Sequence, residues 1–255
     1  MSNVMKSAKR FSVVILGLCL ASSFNVNGPT TFAHPTPQKE KEKNQKTAAP
    51  ASAMVPDKGK FRITLDGQVV GNEEFEISPS GQTWMARGSM TAHAPGGGDV
   101  KATGQLKLAA DGTPVHYEWT AQSVKKGSGT VDFANGNAKS AIDLGAKTPF
   151  LQDFTFASPR IAVLDNNLYH QYAILAQLYD WKAGGKQVFP VLIPQDSTPG
   201  SISVESIGQQ QAAGVSYEAL RVSSTDLEIL LYLDSGRRLM RVEVPSSKAI
   251  IEREK

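Results

Sequence analysis

Between Val100 and Leu108 the side chains alternate without a break. Val100, Ala102, Gly104, Leu106 and Leu108 are apolar or small, and Lys101, Thr103, Gln105 and Lys107 are polar. A period of two puts the two sets on opposite faces of an extended strand. One face is buried and the other wet, the signature of a half-buried antiparallel strand. Asp111-Gly112 then turns the chain, and Val115, Tyr117, Trp119 and Ala121 face inward on the return, with His116, Glu118, Thr120 and Gln122 outward. The domain opens in the same way. Phe61, Ile63 and Leu65 alternate with polar residues, Asp66-Gly67 is a hairpin turn signal, and Phe75 and Ile77 follow on the partner.

Further strands are predicted at 128–134, 137–144, 187–193, 201–207, 215–223, 226–233, 238–245 and 248–253. The penultimate hairpin carries Leu227, Ile229, Leu231 and Leu233 on one arm and Met240, Val242 and Val244 on the other, joined by Asp234-Ser235-Gly236. One segment breaks the period. Leu168, Tyr172, Leu175 and Tyr179 recur at helical spacing, with Asp165 as N-cap and Lys182 and Gly184-Gly185 as the stop. Ser158-Pro159 is an alternative start. The expected fold is mainly β: a single curled antiparallel sheet or incomplete barrel of about 10–13 strands, packed on one principal α-helix at about 166–181.

The N-terminus reads as an address. Lys6, Lys9 and Arg10 precede an apolar run from Phe11 to Ala21, and small residues follow. That is the form of a cleavable export signal. The run is about half of the roughly 20 residues a membrane span needs. Cleavage is expected after Ala33, with Ser23 as the alternative. A lipid anchor on Cys19 would need a small residue before it, where Leu18 stands. Residues 34–59 are rich in Pro, Lys, Glu, Gln and Ala and poor in large apolar side chains, which predicts a disordered tether. The expected plan is thus a signal peptide at 1–33, a tether at 34–59 and one β-rich domain at 60–255. The product is an exported protein, periplasmic or extracellular, soluble and without a transmembrane anchor.

The address changes the chemistry of what remains. Cys19 is the only cysteine, so the processed chain has no disulfide, thiolate metal site or cysteine nucleophile. Of the 27 basic and 24 acidic residues, residues 1–33 hold three and none, and residues 34–60 hold six and three. Residues 61–255 keep 18 bases against 21 acids and offer no electrostatic footprint for nucleic acid.

In its opening (Phe61-Arg62-Ile63-Thr64-Leu65-Asp66-Gly67-Gln68-Val69-Val70-Gly71) and its closing hairpin (Leu227–Leu233, Arg238–Val244), the chain resembles uncharacterised exported bacterial β-domain proteins. Its strand–helix–strand plan is similar to the periplasmic lipoprotein-carrier half-barrel, which shields acyl chains. The resemblance covers about 61–255 as architecture. It implies a carrier-like fold and transfers no site residue. The pattern departs from the carriers in having one clear helix where they have several.

Catalytic patterns are missing. Gly96-Gly97-Gly98 lacks the Gly-Lys-Ser/Thr ending of a phosphate loop, and no Gly-x-Ser-x-Gly or His-x-x-x-His occurs. His34 would be a new N-terminus able to chelate copper, but it sits on the tether before Pro35. His93 belongs to a hairpin loop. His170, about a turn beyond Asp165, has the ingredients of a base or metal ligand, against the commoner role of a packed histidine. Glu73, Glu74 and Glu76 share one hairpin, with Glu74 and Glu76 on its wet face. No metal and no cofactor are expected.

The reading that fits best is a binding or carrier module of the cell envelope, for a hydrophobic ligand such as a lipid or for an envelope protein. Trp84, Tyr117, Trp119, His170 and Tyr172 are the candidate ligand-binding residues, because inner-face aromatics would line a groove if the sheet closes incompletely. Two alternatives stand beside it: a hydrolase of envelope polymers using His170 and Asp165 or a carboxylate pair, and a structural component of envelope assembly.

Overall fold

The computed structural model describes residues 54–93, 98–123, 126–225 and 227–255. The expected leader and the tether up to residue 53 lie outside the described residues. Met54 is already buried against the domain.

Eight strands form the first meander: β1 (Asp57–Leu65), β2 (Gln68–Ser80), β3 (Thr83–His93), β4 (Asp99–Leu108), β5 (Pro114–Gln122), β6 (Lys126–Ala134), β7 (Asn137–Asp143) and β8 (Phe150–Thr155). A second meander runs through β10 (Lys186–Ile193), β11 (Thr198–Ala212), β12 (Val215–Ser223), β13 (Glu228–Leu233), β14 (Leu239–Val244) and β15 (Ala249–Arg253). They fuse where β1 pairs antiparallel with β15, Ile63 opposite Ile251. The short β9 (Ala162–Val163) adds a parallel strand beside β10. The result is one 15-stranded sheet whose edges are β8 and β9.

Turn chemistry sets the hairpins. Asp66-Gly67 and Asn135-Gly136 both take positive φ (48° and 79°, 50° and 79°), the conformation of a type I′ turn. The closing of the sheet follows from a short link. Residues 156–161 alone connect edge β8 to edge β9, and six residues reach at most about 20 Å. Fifteen strands must therefore curl until the two edges come near each other, although no ladder joins them. The 3-10 turn Pro194–Asp196, beyond β10, packs across against β6.

The architecture is the curled sheet with one helix that the alternation implies, with two differences of extent. Among the described residues there are fifteen strands, because Thr83–His93, Phe150–Thr155 and Ala162–Val163 are also extended. The helix α1 spans His170–Leu178 and is shorter than 166–181 at both ends. Its N-cap position is Tyr169, in a helical conformation with no side-chain cap, so Asp165 is not the cap. Asp165 instead accepts from Asn167 N at 2.7 Å, an Asx turn that leads the chain into the helix.

Eight of the nine residues of α1 are buried, so the helix is enclosed all round rather than laid on a surface. Ile174, Leu175 and Leu178 face Leu106 and Leu108 of β4 and Ala162 and Val163 of β9. Tyr172 faces Val191, Ile193 and Ile202 of β10 and β11. No described helix is long and apolar enough to cross a membrane.

At the seam between the meanders sits Arg253. Its guanidinium pairs with both Asp57 oxygens (3.1 and 2.5 Å) and donates to Lys58 O (2.7 Å) and Leu239 O (3.1 Å). It lies 5.2 Å from the Phe75 ring centroid. Both charged side chains are nearly buried, at 9% and 4% exposure.

Candidate functional site

Among the described residues, two places gather chemistry. The first is sealed inside the sheet, and the second is open on its outer face.

The inner one is built on Glu73, His170, Asp165 and Tyr117. Glu73 is in phase with Phe75 and Ile77 on β2 and therefore points into the core, with 0% exposure. Its carboxylate accepts from Tyr169 N (2.7 Å), His170 N (3.3 Å) and His170 Nδ1 (2.6 Å). The first two are helix N-terminal amides with no partner inside the helix. Glu73 thus does from another strand what a local cap usually does, and its negative charge suits the positive end of the helix dipole. At the other end Arg160 Nη2 donates to Leu178 O at 2.7 Å. Gly88 gives the histidine its room, since a Cβ there would lie 2.4 Å from His170 Cε1.

Asp165 lies close by. Tyr117 donates its hydroxyl to Asp165 Oδ2 at 2.5 Å, Gln195 Nε2 donates to the same oxygen, and Gln171 Oε1 accepts from Asp165 N. Burial pushes the Asp165 carboxyl above its ordinary value, opposed by the Tyr117, Asn167 and Gln195 hydrogen bonds and the nearby His170. Burial and the Asp165 charge raise the Tyr117 phenol well above its ordinary range.

These groups converge as an acid–base site would, but they are out of reach. Glu73, His170 and Tyr117 are at most 1% exposed and Asp165 is 6% exposed. Among the described residues, His170 Nε2 has no hydrogen-bond partner. The cavity beside Asp165, Tyr169 and Tyr172 holds about 30 Å³, and the one between α1, β4 and β9 about 10 Å³. The first has room for about two water molecules and neither for a substrate.

A carboxyl harder to ionise in the folded chain has a definite signature. It contributes stability that is complete below its ordinary value of 3.8 and is lost as pH rises toward the folded value. The stability of the wild type relative to Asp165→Asn is therefore expected to fall with rising pH above 3.8, by up to about 1.4 kcal/mol per pH unit. Urea midpoints from pH 4 to 7 read this directly. A difference that stays flat or grows would contradict the burial assigned to Asp165.

The outer place is a groove of about 700 Å³ crossing β3 to β7. Register explains its walls. Arg87, Gln105, Glu118, Thr130 and Ala141 are paired in one row across five strands, and Thr103, Thr120, Ser128 and Asp143 form a second. Between them runs the row Gly88, Gly104, Trp119 and Gly129, whose side-chain positions point inward. Pro149 closes the β7 end. Some wall side chains hold one another in place: Arg87 Nε donates to Gln105 Oε1 at 3.0 Å, and the Thr103 and Thr120 hydroxyls lie 2.7 Å apart.

Of the five candidate binding residues, Trp119 lies beneath this groove: its ring is turned into the core and packed against Gly129, with its Nε1 buried and unpaired among the described residues. Trp84, Tyr117, His170 and Tyr172 are core. The groove walls had no sequence signal beyond outward polar positions, because the rows exist only once the register is set. His93 and His116 pair at the surface with Asp99 (2.6 Å) and Asp132 (2.7 Å). His34 lies outside the described residues. Among the described residues no three His, Cys, Asp or Glu side chains gather to hold a metal.

Fold and sites together define a class: an open, strongly curled β-sheet wound about a single enclosed helix. A solved structure is similar in fold. The chain is similar to a β-barrel-like protein of the domain of unknown function DUF1849 from Brucella abortus, with TM-score 0.55 and 12% identity over 79% of this chain and 96% of that one. At that identity the likeness speaks for the fold alone. No family model matches the chain, and no curated protein does.

Proposed function

We propose that the chain is an exported binding module of the cell envelope that takes its ligand on the outer face of β3–β7. The observation that carries this reading is the contrast between the two places: a groove of about 700 Å³ outside, and cavities of about 30 and 10 Å³ beside the helix. Sites for small ligands usually measure about 300–1,000 Å³. A lipid inside the sheet would need α1 to leave, and α1 is held at both ends by Glu73 and Arg160. A hydrolase built on His170 and Asp165 would need solvent to reach them, and both are buried. Export rests on the basic, apolar and small-residue order of residues 1–33.

Native mass spectrometry of the protein purified from its host tests the reading. The expected result is a mass beginning at His34 and a non-lipid adduct held by the wild type. Thr130→Trp, which fills the middle of the groove, should lose that adduct. A stoichiometric lipid retained equally by the wild type and Thr130→Trp would overturn it.

A further inference from the structure

Resting on that reading, we infer that the groove is built for a linear, uncharged polysaccharide lying across the strands. The ladders of β3 to β7 are complete through this region, so the backbone groups beneath the groove are already paired. An extended peptide recognised by strand addition needs free backbone groups at a sheet edge, and none is offered here. Recognition must come from side chains alone. Those available carry hydroxyls (Thr103, Thr120, Ser128, Thr130), a carboxamide (Gln105), two carboxylates (Glu118, Asp143) and one guanidinium (Arg87).

That inventory selects a chemistry. It mixes donors and acceptors at close intervals, as a ligand rich in hydroxyls requires. Two carboxylates against one guanidinium disfavour a phosphate or another polyanion. The spacing agrees as well. Each strand presents its wall residues about 4.8 Å from those of the next, and a β-linked pyranose chain advances by about one such step per ring. Five strands would meet four or five sugars in repeating register. The Arg87–Gln105 and Thr103–Thr120 contacts fix wall side chains before any ligand arrives, which lowers the ordering cost of binding.

The test is a titration of the isotope-labelled full chain with chitotetraose, followed by amide and side-chain NMR shifts. A second titration uses an uncharged extended peptide of similar length. The expected result is saturable shifts confined to the two wall rows with chitotetraose alone. Affinity should fall at least tenfold in Glu118→Ala and in Gln105→Ala, whose unchanged spectra elsewhere show that the fold is intact. If the peptide shifts the wall rows and the sugar does not, the polysaccharide is overturned while the groove stands as a binding site. If both leave the wall rows unmoved, or if sugar shifts gather elsewhere and survive both substitutions, both the polysaccharide and the groove are overturned.

Discussion

Glu73→Ala is expected to be among the most damaging single changes in the molecule, costing about 3–5 kcal/mol. The substitution strands the Tyr169 and His170 amides and His170 Nδ1 at once, all of which rely on that carboxylate. Each buried donor left without a partner loses its desolvation compensation, at about 1–3 kcal/mol. Glu73→Gln keeps the shape and one acceptor oxygen, so it should lose clearly less. The order wild type, Glu73→Gln, Glu73→Ala in urea midpoint is the expected outcome. Equal midpoints for wild type and Glu73→Ala would show that the helix does not depend on this anchor.

Arg253→Ala should cost a similar amount, for a different reason. Arg253 is where the first strand meets the last. Removing it leaves Asp57 buried without its countercharge and frees two carbonyls, Lys58 O and Leu239 O. Loss of one partner of a buried pair is costly because the other charge remains, about 3–5 kcal/mol. The contact with the Phe75 ring goes as well. The same site can be disturbed from the strand side. A Cβ on Gly59 would lie 2.6 Å from Arg253 Nη2, so Gly59→Ala must displace the guanidinium. A double-mutant cycle of Asp57→Ala and Arg253→Ala should show coupling of at least about 1 kcal/mol. Additive losses would contradict the clamp drawn by the Asp57–Arg253 geometry.

Most of the sheet was legible because its signals are local. Alternation in Val100–Leu108 and the turns at Asp66-Gly67 and Asp234-Ser235-Gly236 act within one hairpin. The helix ends were not. Asp165 and Gly184-Gly185 have the right chemistry for caps, but the N-terminal amides are satisfied by Glu73, almost a hundred residues away in sequence. Glu73 did leave a trace, in phase with Phe75 and Ile77 on the buried face of its strand. A carboxylate in a core-facing position needs a partner, and that partner was His170.

The joining of β1 to β15 is likewise a long-range pairing that no local pattern encodes. The groove is a third case. Its residues look like ordinary outward-facing side chains until the pairing of Gly88, Gly104, Trp119 and Gly129 lines them up across the strands.

As proposed, α1 is a fixed part of the core and binding falls to the outer face. Native-state hydrogen exchange of the full chain measures this most directly. Amides from Ile174 to Leu178 are expected to exchange only through global unfolding, at the same free energy as Ile63 and Ile251 in the seam. Exchange of those helix amides through a local opening more than about 2 kcal/mol below the global value would contradict the account. It would show a helix that leaves the sheet on its own, with an interior able to receive a ligand.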